Sequence, residues 1–124
     1  MENILNRERV SDLLVGALEG GSNYWYDMPD LKEVKRYTKS MVGSPLVDKI
    51  INAVYDHNVS VDIYDIEDPD EILGTFNLEN IKRGEEIMLK EYPKHFANIL
   101  SENDDAETAD VWFQLVVLGE IVYG

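Results

Sequence analysis

The stretch VSVDIYDIEDPDEILGTF, residues 59–76, decides the fold class of this chain. Apolar and polar side chains alternate from Val59 to Tyr64, which is the pattern of a strand that buries one face. Asp68-Pro69-Asp70 predicts a turn, and residues 72–76 predict the returning strand. The sequence therefore places an antiparallel hairpin near the middle of the chain.

Helical patterns flank this hairpin on both sides. In the first, apolar residues recur at helical spacing from Val10, with Asn6 as the N-cap and Gly20-Gly21 as the stop. Asp30 with Glu33 has capping-box spacing, and Ser44-Pro45 is typical of a helix start. We predict helices over Arg7 to Glu19, Asp30 to Met41, Ser44 to Asn58 and Asn77 to Tyr92, and a short one that contains Phe96, Ile99 and Leu100.

The last segment fits two secondary structures. Val111 to Leu118 is apolar almost all round, as both buried helices and central strands are. Asp104 and Glu107 have capping-box spacing, which favours a helix that ends at Gly119. Residues 120–123 are then predicted as a final strand, and the aromatic run Asn23 to Tyr26 as another.

These elements predict one α+β domain over residues 1–124. Its sheet is small and mostly antiparallel, with three to four strands packed by four to five helices. A chain of 124 residues, 44% of them hydrophobic, is long enough to bury a core without staples. The sequence contains no cysteine, which removes disulfides and thiolate metal sites and fits a reducing compartment.

The net charge of −14 restricts the partners of this protein. Direct nucleic-acid binding is not expected, because phosphate contacts need clustered Lys and Arg. No basic segment followed by an apolar run opens the sequence, and no apolar stretch approaches about 20 residues. We therefore expect a cytoplasmic protein with no membrane association.

The sequence contains no catalytic or metal signature. The two histidines, His57 and His95, have no histidine partner at helical spacing, and the acidic residues 62–71 lack the glycine and spacing of a calcium loop. Nucleophile-elbow and phosphate-binding glycine patterns are absent, so no metal, cofactor or catalytic residue is predicted. Carboxylates are abundant, which leaves a two-carboxylate hydrolase open.

Three segments offer ligand-binding chemistry. The aromatic run supplies rings for stacking and an amide, and Asp110 and Gln114, one helical turn apart, offer hydrogen bonds. Four basic residues, Lys32, Lys35, Arg36 and Lys39, share one side of the second helix, where they suit phosphate. The candidate ligand-binding residues are Asn23, Tyr24, Trp25, Tyr26, Lys35, Arg36, Asp110 and Gln114.

Each of these segments also has a purely structural interpretation. Trp25 can belong to the core, with the tyrosine hydroxyls at the surface. Asp110 and Gln114 can form a simple solvent-facing stripe. The basic residues can form ion pairs with the acidic hairpin, in the same subunit or a neighbouring one.

The chain resembles a group of small uncharacterised proteins encoded by bacteriophages and prophages. The resemblance rests on LEGGSNYWY at residues 18–26, YPKHF at 92–96, NDDAETADV at 103–111 and GEIVYG at 119–124. The group provides no catalytic residues that could be carried over. Such a resemblance implies a role against host defence, in the cytoplasm of a bacterial host.

Three functions are compatible with these observations. The first is non-enzymatic sequestration of a small nucleotide-like signal, of the cyclic ADP-ribose or cyclic oligonucleotide class, by a homo-oligomer. The second is inhibition of a basic host defence protein or nuclease through the acidic surface. The third is metal-dependent hydrolysis of a nucleotide.

Overall fold

The computed structural model describes residues 4–124, and within them the chain is α+β, with six α-helices and a three-stranded antiparallel sheet. The predicted fold class is confirmed. The elements, in chain order, are α1 (Arg7–Gly16), β1 (Tyr26–Asp27), α2 (Lys32–Tyr37), α3 (Leu46–His57), β2 (Val61–Asp65), β3 (Asp68–Phe76), α4 (Leu78–Glu91), α5 (Pro93–Leu100) and α6 (Ala106–Val117).

The predicted hairpin is formed by β2 and β3, with β1 on the other side of β2. Its turn, however, lies at residues 66–67 and not at Asp68-Pro69-Asp70. The backbone turns earlier because Oδ1 of Asp65 accepts a hydrogen bond of 2.8 Å from the backbone N–H of Glu67. Pro69 lies within β3, where the pairing register shifts next to Asp65.

The first helix begins as predicted, because the side chain of Asn6 accepts a hydrogen bond from the backbone N–H of Arg9 at 2.8 Å. It does not stop at Glu19 but continues as a π-helical turn over Ala17–Gly21. A Cβ atom at Gly21 would lie 2.2 Å from the backbone oxygen of Ala106. This contact with the start of α6 requires glycine.

The next two helices depart from their predicted starts and ends. The second covers only Lys32–Tyr37, and Asp30 accepts a hydrogen bond from the N–H of Lys32 instead of capping the helix. The N-cap of α3 is Pro45, so Ser44 does not cap it. The predicted strand at residues 23–26 is mostly turn, and only Tyr26 belongs to β1.

The final helix is confirmed over Ala106–Val117, but its cap is Asp105, which accepts a hydrogen bond of 2.9 Å from the N–H of Thr108. Asp104 instead forms an ion pair with Arg9. Residues 120–123, predicted as a strand, have no regular secondary structure. The side chain of Gln114 forms hydrogen bonds with the backbone of Val122 and Tyr123, as a neighbouring strand would.

One buried cluster forms the core, and α6 lies at its centre. This helix packs against α4, α1, the π-helical turn and β3. Its rings, Trp112 and Phe113, are fully buried and contact Phe76 of β3. Within residues 4–124 no helix is both long and apolar enough to cross a membrane.

Candidate functional site

Two of the segments singled out in the sequence meet at the carboxylate of Asp110. Its Oδ1 accepts hydrogen bonds from the hydroxyl of Ser22 and the indole Nε1 of Trp25, both at 2.8 Å. Its Oδ2 accepts from the hydroxyl of Tyr24 at 2.7 Å and from Nε2 of Gln114 at 3.1 Å. We call these five residues the Asp110 network. It joins the turn after α1 to the middle of α6.

Trp25 is a core residue in this network. It is only 2% exposed, and its ring contacts those of Phe113, at a centroid distance of 5.5 Å, and Tyr123, at 5.3 Å. The Tyr123 ring is nearly parallel to it, with an interplanar angle of 12°. The indole is thus covered on its ring and hydrogen-bonded at its nitrogen. In this conformation Trp25 belongs to the core, and its ring is not exposed for stacking on a ligand.

The two tyrosines beside Trp25 are more accessible. Tyr24 is 49% exposed, and burial of its hydroxyl, together with the hydrogen bond to Asp110, raises its pKa to about 12. Tyr26 is half-buried and donates a hydrogen bond of 2.9 Å to the backbone oxygen of Leu18. Asn23 is exposed. Because this segment is a turn, its side chains do not alternate between two faces as a strand would require.

Gln114 does not form a solvent-facing stripe with Asp110. It is 1% exposed, and its carboxamide is used entirely inside the protein. In addition to Asp110, its Nε2 donates to the backbone oxygen of Tyr123 at 3.0 Å. Its Oε1 accepts from the backbone N–H groups of Val122 and Tyr123, both at 2.9 Å. Its role in this structure is to hold the backbone of Val122 and Tyr123.

A cavity of about 610 Å³ lies next to this network and shares the aromatic segment with it. Most of its wall is apolar, and its two charged groups are the carboxylates of Glu19 and Asp48. Burial raises the pKa of Tyr26, and the negative charges of Asp27 and Glu19 raise it further. The lining residues are Val15, Leu18, Glu19, Tyr26, Pro45, Leu46, Val47 and Asp48.

The basic residues lie on a different element. Lys35 and Arg36 are exposed on α2, which packs against α3. Arg36 forms an ion pair of 3.6 Å with Glu33 on its own helix and lies over the ring of Tyr37. Neither Lys35 nor Arg36 lines the cavity or takes part in the Asp110 network. The structure does not bring these two predicted residues together with the other six.

Residues 4–124 contain no group of three or more His, Asp or Glu side chains arranged to hold a metal ion. One histidine, His95, has a hydrogen bond of 2.9 Å between its Nδ1 and the hydroxyl of Thr108. This contact ties α5 to α6.

Sequence reasoning missed three residues of this region. Ser22 is fully buried and bonded to Asp110, although its position after Gly20-Gly21 indicated only the end of the first helix. Tyr123 was assigned to a strand and not to an aromatic stack. Leu46 lines the cavity as an exposed residue at the start of α3, and nothing in the helical pattern distinguishes it from a core residue.

Comparison of the chain with protein families, with curated proteins and with solved structures found no match.

Proposed function

We propose that this protein is a non-enzymatic, cytoplasmic binding protein that sequesters a small nucleotide-like signal, of the cyclic ADP-ribose or cyclic oligonucleotide class. The observation that carries the proposal is the cavity beside Tyr26. Its volume of about 610 Å³ is typical of small-molecule sites, which commonly occupy about 300–1,000 Å³. The resemblance to phage proteins adds the biological setting, a bacterial host whose defence signal is removed.

The lining of the cavity suits a nucleobase and a ribose. Val15, Leu18 and Leu46 provide apolar contacts, and the ring of Tyr26 provides an aromatic wall. Stacking of a base on an aromatic side chain contributes about 1–3 kcal/mol. The carboxylates of Glu19 and Asp48 accept hydrogen bonds from an exocyclic amino group or from ribose hydroxyls. No chemistry on the ligand is required of these groups.

Trp25 supports this wall indirectly. Its ring meets that of Tyr26 edge to face, at a centroid distance of 6.3 Å and an interplanar angle of 77°. Asp110 fixes the indole by a hydrogen bond to its nitrogen. Trp25, Asp110 and Gln114 thus position the aromatic segment, whereas Tyr26 contacts the ligand.

Charge determines how a phosphorylated ligand must be oriented. The lining of the cavity contains two carboxylates and no Lys or Arg, and the whole chain carries a charge of −14. Base and ribose therefore occupy the cavity, and the phosphates stay at its mouth. Lys35 and Arg36, predicted as phosphate partners, lie toward the other end of α3, since the ring of Tyr37 stacks on His57 at a centroid distance of 4.7 Å. Phosphates at this mouth therefore face solvent.

Native mass spectrometry tests the proposal with the wild-type protein, a panel of cyclic nucleotides and a host-cell metabolite extract. We expect an intact added mass that is released unchanged on heating, and the same spectra show whether the protein is a homo-oligomer. Leu46→Lys, which puts a long charged chain into the mouth of the cavity, should abolish the added mass. Leu89→Lys is the matched control, since Leu89 is 48% exposed on α4 and Leu46 is 46% exposed.

The outcomes separate the three functions. Binding that survives Leu46→Lys contradicts the cavity as the site. A ligand that returns with an altered mass, in a reaction stopped by a chelator, indicates the hydrolase. No added mass with any member of the panel or the extract contradicts sequestration.

Inhibition of a basic protein is the second candidate, and it rests on the β2–β3 hairpin. Glu67, Asp68, Asp70 and Glu71 are exposed, and none of them is in an ion pair within residues 4–124. Such a surface binds a basic partner with an affinity that falls steeply as salt rises. Binding through this hairpin is expected to be unaffected by Leu46→Lys.

A further inference from the structure

Residues 120–124 are bound to the rest of the domain as a peptide ligand is bound to a receptor. Residues 120–124 have no helical or strand hydrogen bonding of their own. Three hydrogen bonds to the backbone of Val122 and Tyr123 come from one side chain, the buried carboxamide of Gln114. A carboxamide that donates to a backbone C=O and accepts from backbone N–H groups binds an extended segment with the same kinds of hydrogen bonds that a neighbouring strand forms.

The same segment has an aromatic anchor. The ring of Tyr123 stacks on the indole of Trp25, which Asp110 and Phe113 hold in place. Backbone hydrogen bonds beside a pocket for one side chain are the two components of extended-peptide recognition. We call this site, formed by Trp25, Phe113 and Gln114, the tail slot, and residues 120–124 the tail.

We propose that the tail slot is a binding site for an extended, tyrosine-containing peptide segment, filled here by the tail of the same chain and able to accept the tail of a second copy. Neither the three residues of the tail slot nor Tyr123 of the tail lines the cavity near Tyr26, so this inference does not depend on the proposed ligand.

The chain leaves α6 through a glycine that can redirect the tail. Gly119 has a φ of +79°, a region that glycine adopts without the penalty paid by other residues. Every contact between the tail and the tail slot is the same whether the tail comes from its own chain or from another copy. The choice is therefore set by concentration, since a short tether gives the tail an effective concentration on the order of millimolar.

Charge adds a second condition. Two copies that exchange tails bring together two chains with a net charge of −14 each. Burial raises the pKa of Tyr123, and the nearby negative charges of Asp65, Glu67 and Glu71 raise it further. Exchange between copies is thus expected to increase with salt, which screens this repulsion.

The first test adds the tail in trans to a chain whose own tail is impaired. The probe is a fluorescent peptide with the sequence Gly-Glu-Ile-Val-Tyr-Gly of residues 119–124, titrated in high salt against full-length Tyr123→Ala and followed by polarisation. We expect saturable binding to Tyr123→Ala at least tenfold tighter than to the wild type, whose slot is filled. Val122→Ala is the control variant, because the side chain of Val122 is 57% exposed, and it should behave as the wild type.

The control probe has alanine in place of its tyrosine and should not bind. Folding of each variant is checked by circular dichroism, and Tyr123→Leu, which retains apolar bulk, replaces Tyr123→Ala should the latter not fold. Equal affinity for the impaired chain and the wild type, or no binding to a folded impaired chain, overturns the tail slot.

The second test addresses the second copy. Tyr123→Ala has an intact slot, and Gln114→Leu has an intact tail but lacks the carboxamide. Native mass spectrometry of the mixture should give a one-to-one heterodimer in excess of either homodimer, because only the mixed pair combines a competent slot with a competent tail. A heterodimer no more abundant than the homodimers overturns exchange between copies.

Discussion

Replacing Asp110 by Asn tests whether one carboxylate holds the aromatic turn against α6. The side chain keeps its size, but one oxygen becomes an N–H₂ donor that must face groups which are themselves donors. Ser22 and Trp25 are almost completely buried, so the remaining oxygen is expected to stay on their side. The amide nitrogen then meets the hydroxyl of Tyr24, which can rotate to accept, and Nε2 of Gln114, which cannot.

The magnitude follows from counting these bonds. A hydrogen bond to a charged group contributes about 1.5–3 kcal/mol and a neutral one about 0.5–1.5 kcal/mol. The bonds from Ser22 and Trp25 lose their charged acceptor, at about 1 kcal/mol each, and the bond from Gln114 is lost. We expect the free energy of unfolding to fall by about 3 kcal/mol, which lowers Tm by about 10 °C in a domain of this size.

Thermal and urea unfolding followed by circular dichroism measure this change. Glu107→Gln is the control, because it removes the same charge from the same helix at an exposed position without a side-chain hydrogen bond in the described structure. Its effect should stay within about 1 kcal/mol, the usual contribution of a charge near a helix terminus. A loss for Asp110→Asn no larger than that of Glu107→Gln would refute the reasoning.

Two further changes test the packing of α4. A Cβ at Gly84 would lie 2.6–2.8 Å from atoms of Val116, so Gly84→Ala should destabilise the protein by about 1–3 kcal/mol in urea unfolding. Gly20→Ala, where no atom lies within 4 Å of the added Cβ, should not. Burial raises the pKa of Glu85, so the folded protein favours the neutral carboxyl group. The resulting contribution to the free energy of unfolding is present at low pH and is lost as pH rises through the raised pKa. The gain in unfolding free energy from Glu85→Gln over wild type should therefore grow from pH 4 to pH 7. Glu79→Gln, at an exposed position of the same helix, should show no such growth.

Local signals in the sequence predicted most of the fold. The caps at Asn6 and Asn77 are where expected, since a cap needs only one side chain and a backbone N–H two or three residues on. The helix in the last segment was predicted correctly from its capping spacing, although the cap is Asp105 and not Asp104. Hydrophobic periodicity and capping act within one element, and the sequence displays both directly.

Errors occurred where distant contacts determine the conformation. The continuation of α1 into a π-helical turn depends on the close approach of Gly21 to Ala106, residues far apart in the chain. The tail is not a strand because a glutamine side chain satisfies its backbone. A propensity scale contains neither effect, since both depend on which segments meet in the folded protein.

The candidate site was predicted in part for the same reason. Asn23 to Tyr26 and the Asp110–Gln114 pair were identified as unusual, and they do meet. Their chemistry was assigned on the assumption that the polar groups face solvent. In the structure they face one another, because a partly buried carboxylate and a buried indole are stable only when each has a hydrogen-bond partner.

This arrangement changes which substitution can establish a ligand site. Trp25 contacts Tyr26, Phe113 and Tyr123 and donates to Asp110. Trp25→Ala therefore disturbs the support of the cavity wall, the tail slot and the Asp110 network together. Loss of ligand binding in that variant would follow from any of the three. Leu46→Lys alters the cavity at an exposed position on α3 and leaves the other two intact. It is therefore the substitution whose effect on ligand retention identifies the cavity as the site.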